Sequence, residues 1–369
     1  MLGVDLSPFD SDLVRSTVQL SVPLILAATG ETVAERTGML NIGLEGMMLS
    51  GAFGAVLGGY LAGDPMIGVL IGALAGAAMA ALAALFMITL RADQVVVGVG
   101  IGLLAIGLTT FLFRQYIPVG TKVGPLPNIE IPLLSQLPVV GTALFNQNAL
   151  FYIAVALVVG TTIVLRHTSW GLFIRAAGQA PRALDSAGHG VSATRWFGML
   201  FAGAMAGLGG AYLSVGQLGS FNENMTAGRG YIALAAVVFG GWVVSRVVAA
   251  CLVFGGVNAL QLRLQAIGGT TVGVWVAVWL LTFAAGVAYM INSLRKQRLR
   301  DGSTRIRLGI TLLVVGLASW LLVAAPQTAL PSQIYTALPY ICALVVLAGF
   351  GRSRAAPKAL TVPYDRSSR

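Results

Sequence analysis

Long segments without a charged residue most strongly limit what this 369-residue chain can fold into. Pro65–Leu90, Trp196–Val215 and Val247–Gln261 contain no Asp, Glu, Lys or Arg. About 20 apolar residues are enough for a helix to cross the hydrocarbon core of a bilayer. Only 10% of the residues are charged, whereas a soluble protein carries about 25%. The sequence therefore predicts an all-α polytopic membrane protein.

The apolar segments divide the chain into a series of predicted membrane spans. Residues 117–148 interrupt the series, because their prolines prevent a continuous spanning helix. The predicted spans are Thr17–Gly30, Leu40–Leu61, Pro65–Leu90, Gln94–Tyr116, Ala149–Leu165, Trp196–Gly216, Tyr231–Val244, Val247–Ala266, Val272–Ile291, Leu308–Ala324 and Ala337–Phe350.

The distribution of charge predicts the orientation of the chain. The net charge is +10, and the basic residues lie between apolar segments, at Arg166–Arg195, Arg295–Arg307 and Arg352–Arg369. Cytoplasmic loops hold most of the Lys and Arg of membrane proteins. These segments are therefore placed in the cytoplasm, and no nucleic-acid partner is expected. Glu35 and Arg36 also fall on the cytoplasmic side, where a charge pair has a small desolvation cost. The N-terminus, residues 117–148 and Gly219–Gly228 are placed outside.

The sequence contains no motif for covalent chemistry. No Lys is followed by Ser or Thr, so the Walker motif for ATP is absent. Cys251 and Cys342 lie in apolar segments, and His167 and His189 belong to no metal-ligand spacing. We predict no catalytic residue and no metal site. The spans show no series of Asp, Glu and His for a proton relay, which weighs against an ion-coupled carrier.

Glycine recurs at every fourth position along several predicted spans. Gly68, Gly72 and Gly76 form one such series, and Gly203 and Gly207 form another. Small residues at this spacing make a smooth stripe on one helix face and let two helices approach closely. The pattern predicts Gly-rich helix packing, either as static contacts or as seams that slide during transport.

The loop Arg166–Arg195 contains a predicted short helix outside the membrane. Pro181 suits the first helical position, and Gly188 suits the C-terminal cap. The helix carries polar side chains and a small apolar face at Ala183, Leu184 and Ala187. It is either a solvated interfacial helix or a docking element for a cytoplasmic partner.

Several segments resemble a known family when read in order. They are ERTGMLNIGLEGMMLSGAF, IRAAGQAPRALDSAGHGVSATR, GAMAGLGGAYLS and FNENMTAGRGYIALAAVVFGGW, with SQIYTALPYICALVVLAGFGRSRAAPKALTVPY near the C-terminus. The chain resembles permease subunits of bacterial ABC importers, in the branched-chain amino acid and simple-sugar permease family. Within that family it is most similar to the nucleoside-uptake subgroup.

The resemblance implies a division of labour among subunits. The chain would be a multi-pass subunit in the bacterial cell membrane, in contact with membrane lipid. Its expected partners are ABC ATPase subunits, a second permease subunit that is a paralogue or a copy, and an extracytoplasmic substrate-binding lipoprotein. ATP and Mg would bind the ATPase, so this chain needs no cofactor. By the same resemblance, Pro181–Gly188 is the helix that couples to the ATPase, and its coupling residues are Arg175, Gln179, Pro181, Arg182, Asp185 and Gly188.

One segment departs from the family pattern. Two additional apolar spans and the basic loop Arg295–Arg307 separate NALQLRLQ from SQIYTALPY. The expected fold is about nine core transmembrane helices plus an inserted two-helix hairpin. The predicted divisions are an N-terminal tail at 1–15, a permease core at 16–267 with the coupling loop at 166–195, the inserted hairpin at 268–331, the last transmembrane helix at 332–351 and a cytoplasmic tail at 352–369.

Polar residues near two spans are candidates for the transport pathway. Asn41 and Glu45 are one turn apart, so we expect them to share a helix face that avoids lipid. They form either a structural clamp between helices or the lining of an inner gate. On the outer side, SFNENMTAGRG forms either a site for a polar ring-bearing solute, the rim that meets a binding protein, or a solvated loop. Its candidate residues are Phe221, Asn222, Glu223, Asn224 and Arg229.

The function expected from these observations is transport without catalysis. The chain is interpreted as an ABC importer permease that moves a nucleoside or a similar polar solute by alternating access. Simple sugars and branched-chain amino acids are alternative solutes in the same family. The alternatives of another class are an ion-coupled secondary transporter and a membrane scaffold or receptor that transports nothing.

Overall fold

The computed structural model describes residues 11–267 apart from positions 119, 125, 133, 134 and 136–140, and also residues 316 and 356–365. The chain divides into two compact units, of which the larger comprises Val14–Val257 and Tyr340–Arg369. The smaller comprises Met1–Leu13 and Asn258–Pro339, and its described residues are those of 11–13, 258–267 and 316. All contacts discussed below lie in the larger unit. The inserted hairpin at 268–331 and the last helix at 332–351 lie outside the described residues, apart from position 316, which is helical.

The described part of the chain is mainly helical. Two of its helices continue into a π-helical turn, α3 at Leu85–Thr89 and α9 at Tyr212–Leu218. In chain order the elements are α1 (Ser11–Arg36), α2 (Leu44–Ala62), α3 (Pro65–Ala84), α4 (Gln94–Tyr116), β1 (Asn128–Glu130), α5 (Gly141–Phe145), β2 (Asn146–Asn148), α6 (Ala149–His167), α7 (Ser169–Gln179), α8 (Pro181–Ser186), α9 (Val191–Ala211), α10 (Arg229–Gly240) and α11 (Val244–Ile267).

Seven of the described helices are long and apolar enough to cross a membrane. The prediction for α4, Gln94–Tyr116, agrees with the structure at both ends, because Asp93 accepts hydrogen bonds from Val95 N and Val96 N and so defines its start. The first predicted span was too short, since α1 continues through Pro23 to Arg36. The seventh predicted span was wrong, because α10 has only 12 residues and is too short to span.

Residues 117–148 contain no spanning helix among their described positions. Strands β1 and β2 pair in antiparallel register, with Asn128 opposite Asn148 and Glu130 opposite Asn146. Asn148 also accepts a hydrogen bond from Phe151 N at 3.0 Å, so the second strand ends in the N-terminal cap of α6. The described residues of this segment therefore form a small two-stranded connection between α4 and α6.

The glycine series packs α3 against both α2 and α9, which also contact each other. A Cβ placed on Gly76 would lie 2.7 Å from the Cα of Gly207, and one on Gly72 would lie 2.7 Å from the carbonyl oxygen of Gly51. Atoms cannot approach that closely, so these helices are in contact along their backbones. The spacing of small residues predicts this close packing, and the buried surfaces of α2 and α9 complete it.

Candidate functional site

Helix α10 begins beside the start of α2 and not at an end of the bundle. The α2 start is level with the middle of α4, because a Cβ on Gly46 would lie 2.9 Å from the Cβ of Ala105. The hydroxyl of Tyr231, in the first turn of α10, lies 3.8 Å from the Cβ position of Gly102 in the same part of α4. The N-terminus of α10 is therefore at about mid-height in the bundle, where a spanning helix would have no end.

Glu45 caps this buried helix start. Its side chain is 4% exposed. One carboxylate oxygen accepts a hydrogen bond from Gly228 N at 2.7 Å, and the other accepts from Gly230 N at 2.6 Å. The free N–H groups at a helix N-terminus carry a partial positive charge, which an anion stabilises. A Cβ on Gly230 would lie 2.6 Å from the Cα of Glu45, so the contact also requires glycine.

Asn41 is buried, but it does not share a helix face with Glu45. The prediction that the two residues would share a face was therefore wrong. It lies in the turn before α2, which begins at Leu44. The turn is folded back into the bundle, because Asn41 N donates to Glu31 Oε1 at 3.0 Å and Leu40 N donates to Gln94 Oε1 at 2.8 Å. These contacts hold Asn41 in the turn outside α2, which its spacing from Glu45 alone does not reveal.

Two further carboxylates lie in the interior, and the sequence analysis did not identify them as such. Glu31 is 0% exposed and Glu35 is 1% exposed, one turn apart on α1. The indole N–H of Trp242 donates a hydrogen bond to Glu35. The described residues contain no ion pair between Glu35 and Arg36, so the expected charge pair was wrong. The nearby Trp242 explains why: Glu35 points inward to a donor that is remote in sequence.

Helix α10 is thus held by carboxylates at both ends. Glu45 of α2 binds its N-terminus, and Glu35 of α1 binds Trp242 two residues after its last residue. Trp242 has a φ of +57°, and the Gly241 before it has a φ of +59°. The chain therefore makes a left-handed turn there that directs the indole back toward α1.

The outer pathway candidates do not gather into one site. Phe221 is 3% exposed and packs edge-on against Phe53 and Phe113, with ring centroids 5.5 and 5.1 Å apart. Asn222 and Asn224 are exposed. Phe221 therefore belongs to the core of the bundle, and the amides belong to its surface.

Glu223 and Arg229 have separate partners. Glu223 forms an exposed ion pair with Arg114 of α4, with a nitrogen to oxygen distance of 2.7 Å. The hydrogen bond from Arg114, followed by its charge, lowers the pKa of Glu223. Arg229 donates to the carbonyl oxygens of Met225 and Thr226 at 3.0 and 3.2 Å. Arg229 thus stabilises the turn that leads into α10.

A groove of about 540 Å³ runs along the C-terminal half of α4. The Arg114–Glu223 pair lies at its end. The groove presents the hydroxyl of Thr110, the amide of Gln115 and the guanidinium of Arg114 in otherwise apolar surroundings. Its lining residues are Ile106, Gly107, Thr110, Phe111, Arg114 and Gln115. This is a partly polar surface on a helix that is otherwise largely apolar and exposed.

The segment between α6 and α9 folds into two helices, of which the sequence analysis predicted only the second. Helix α7 begins at the cap Thr168, whose hydroxyl accepts from Gly171 N at 3.3 Å. Its buried residues Gly171, Ile174 and Ala177 recur at every third position. The threonine cap and this spacing are signals in the sequence from which α7 could have been predicted. Arg175 donates to the carbonyl oxygen of Leu165, so this candidate residue joins α7 to the end of α6.

Helix α8 agrees closely with the helix predicted over Pro181–Gly188. Pro181 occupies its first turn, and Gly188 follows its end with a φ of +83°. Gly188 N donates to Asp185 O at 2.9 Å and His189 N donates to Leu184 O at 3.2 Å, which together form a Schellman motif. Gln179 and Arg182 are exposed, and Asp185 is partly exposed. Leu184 is 3% exposed and anchors the helix.

Basic side chains gather at the end of the bundle that carries α7 and α8. The distribution of charge predicts that this end is cytoplasmic. The basic residues here are Arg36, Arg91, Arg166, Arg175, Arg182, Arg195, Arg246 and Lys358. A multi-pass helical bundle with a helix that starts at mid-height is typical of membrane transport proteins.

Comparison with known sequences identifies the class more narrowly. The family described as branched-chain amino acid transport system, permease component, matches residues 13–267. The chain belongs to this family, as its motifs predicted. It is a multi-pass membrane permease subunit of an ABC transporter, a transport component and not an enzyme, and it works with an ATPase and other components of such a transporter.

Three relatives illustrate the similarity. TsgC13 of Haloferax volcanii, an ABC transporter permease whose name assigns it to glucose, is 37% identical over 263 residues, covering 70% of this chain and 79% of that protein. The nucleoside permease NupC of Lactococcus lactis is 35% identical, covering 71% and 84%. The guanosine permease NupQ of Bacillus subtilis is 36% identical, covering 70% and 84%. No solved structure matches this chain.

Proposed function

We propose that this chain carries a nucleoside into the cell by alternating access, powered by an ATPase that docks on α8. Two similar relatives are named for nucleoside and guanosine transport. The observation that supports the mechanism is the broken helix α10, held at mid-height by Glu45 and at its lower end by Glu35. A helix end inside the bundle gives the pathway a polar element that a continuous helix lacks.

The ATPase would contact the exposed side of α8. Gln179 and Arg182 are exposed, whereas Leu184 points into the protein. A coupling element needs this division, because one face must bind the partner while the other transmits its movement to the spanning helices. Arg175 would act differently from the other coupling candidates, since it holds α7 to α6.

Reversal of charge on α8 tests this role. We expect Asp185→Arg or Arg182→Glu, in a complex reconstituted with its ATPase and a second permease subunit, to leave folding intact and to separate ATP hydrolysis from uptake. Arg246→Glu is the matched control, because Arg246 is an exposed basic residue at the same end but on α11. Normal uptake by both α8 variants at normal expression would rule out the coupling role.

The transport pathway would lie between this chain and a second permease subunit. The groove on α4 is a candidate wall, since it is exposed and contains Thr110, Arg114 and Gln115. Asn222, Glu223 and Asn224 would form its outer rim, where a substrate-binding lipoprotein delivers the solute. We expect Thr110→Leu to lower uptake without changing the yield of folded protein, and equal uptake would remove the groove from the pathway.

Glucose is the second candidate solute, because TsgC13 is 37% identical. Competition for uptake between a labelled nucleoside and unlabelled glucose separates the two. Strong competition by nucleosides alone supports the proposal, and strong competition by glucose alone contradicts it.

Reconstitution also separates the remaining alternatives. The chain by itself, in vesicles with an ion gradient, should accumulate no solute. Accumulation would support an ion-coupled carrier. An assembled complex whose ATPase activity is unaffected by any solute would support a scaffold or receptor.

A further inference from the structure

Residues 356–365, here called the C-terminal strap, cross the cytoplasmic end of the bundle. Ala359 N donates to the carbonyl oxygen of Gly178 at 2.8 Å, and Thr361 N donates to that of Gly38 at 3.1 Å. Gly178 lies in α7, and Gly38 lies in the turn after α1. Two backbone hydrogen bonds of the strap therefore join an interfacial helix to the end of a spanning helix.

Arg195 of α9 fastens the next residues of the strap. Arg195 is 3% exposed, and its guanidinium donates to Val362 O at 2.9 Å and to Thr37 O at 3.3 Å. At the end of the strap, Asp365 forms an ion pair with Arg91, with a nitrogen to oxygen distance of 2.8 Å. The strap is thus connected to α9, to the turn after α1 and to the connection between α3 and α4.

Tyr364 packs against the helix proposed to receive the ATPase. Leu184, the buried residue of α8, forms a small apolar cluster with Ala177 of α7 and Val191 of α9. Tyr364 and Phe173 cover this cluster. The ring of Tyr364 is therefore part of the surface on which α8 rests, and the strap supplies it.

The strap fits its site without room for adjustment. Gly38 has a φ of +94°, and a Cβ there would lie 2.9 Å from Ala359 O and 3.0 Å from an Arg195 guanidinium nitrogen. Contacts this close transmit displacement, because packed interiors shift between arrangements as units and do not yield locally.

We infer that the C-terminal strap is a positioning element that joins α8 to the ends of α1 and α9, and that Tyr364 is its contact with α8. The inference rests on the proposed docking of an ATPase at α8. Helix α8 has six residues and a single buried side chain, so its own contacts give it little hold on the spanning helices. The strap adds a second connection, and movement of α8 passes through it to the turn that precedes α2.

The test compares Tyr364→Ala with Tyr364→Phe in the complex reconstituted with its ATPase and second permease subunit. Three quantities are measured: the ATPase that co-purifies, the rate of ATP hydrolysis, and the labelled nucleoside taken up per ATP hydrolysed. We expect Tyr364→Ala to retain the ATPase but to lower uptake per ATP at least about fivefold, the lower end of usual coupling effects. Tyr364→Phe keeps the ring and loses only the hydroxyl, so it should retain most of the uptake per ATP that Tyr364→Ala loses.

Two truncated chains test the role of the strap without a substitution at the buried surface of Tyr364. A chain that ends at Asp365 keeps the strap, and a chain that ends at residue 355 lacks it. Only the shorter chain should lose uptake per ATP while it keeps the ATPase bound. Full uptake per ATP in the shorter chain and in Tyr364→Ala would overturn the inference and leave the role of α8 intact.

Two other outcomes also decide the matter. Loss of the ATPase from the Tyr364→Ala complex would overturn the inference, because the strap would then be a docking surface. Failure of the unmodified chain to bind an ATPase would overturn the proposed function, and the strap inference with it.

Discussion

Removal of the Glu45 carboxylate should release the buried start of α10. Glu45→Ala leaves the N–H groups of Gly228 and Gly230 without their acceptor, and Gly230 is buried. An unsatisfied buried N–H costs about 1–3 kcal/mol, and a charge at a helix terminus contributes up to about 2 kcal/mol in partly buried positions. We therefore expect a loss of about 2–4 kcal/mol in the free energy of unfolding.

A graded series makes this prediction specific. Glu45→Gln keeps one acceptor oxygen but loses the charge and the second acceptor, so its stability should lie between those of the unmodified chain and Glu45→Ala. Thermal unfolding of the purified protein in detergent measures the order. Glu130→Ala is the control, because Glu130 is an exposed carboxylate whose partner is the side chain of Asn146. The reasoning is refuted if Glu45→Ala has the same melting temperature as the unmodified chain.

Uptake by the same variants separates the two roles left open for Glu45. A structural clamp predicts that uptake falls only as far as folded protein is lost. An inner gate predicts that the folded fraction of Glu45→Gln shows altered uptake at a normal level of folded protein.

Substitutions at three other positions follow from contacts in the protein. Glu35→Leu leaves the buried indole N–H of Trp242 without its acceptor and should lower the free energy of unfolding by about 1–3 kcal/mol. Glu35→Gln retains an acceptor oxygen, so its melting temperature should be closer to that of the unmodified chain. The reverse order of melting temperatures would contradict the contact. Gly76→Leu drives α3 against α9 and should destabilise the protein by about 1–3 kcal/mol, so an unchanged melting temperature would be inconsistent with the packing. The hydrogen bond from Arg114 lowers the pKa of Glu223, so their pair stabilises the fold above the ordinary value of 4.5 and is lost as pH falls through the lowered pKa. The difference in melting temperature between the unmodified chain and Glu223→Gln should therefore shrink on acidification, and a constant difference would count against the pair.

Features with local signals were predictable from the sequence. The start of α4 is defined by Asp93 and its end by Tyr116, and both limits agree with the structure. The short helix α8 is likewise defined by Pro181 and Gly188, a proline at the start and a glycine after the end. The family was predicted from ordered motifs, and the comparison confirms it.

Features that depend on distant partners were not predictable. Glu31 and Glu35 shortened the predicted first span, because a carboxylate lowers local hydropathy whether or not it is buried. Their partners, Asn41 and Trp242, lie in other elements, and Trp242 is 207 residues from Glu35. The same limit applies to α10, because the sequence around its start resembles a surface loop. Its position in the bundle depends on the contact with Glu45, which is distant in sequence.

The buried carboxylates also change one argument about function. The absence of a series of Asp, Glu and His from the predicted spans weighed against an ion-coupled carrier. Glu31 and Glu35 add two buried carboxylates in α1. The evidence for an ABC permease is therefore the family match and the similarity to NupC and NupQ, and no longer the scarcity of charge.

The predicted cytoplasmic location of α8 can be measured by chemical labelling. His189 follows α8 and is exposed, so a cysteine there, in a chain with Cys342 replaced by alanine, reports its location to a membrane-impermeant maleimide. Cys251 is buried and should not react. The account predicts labelling in inside-out vesicles and none in intact cells. Labelling of position 189 in intact cells would place α8 outside, beyond the reach of any cytoplasmic ATPase.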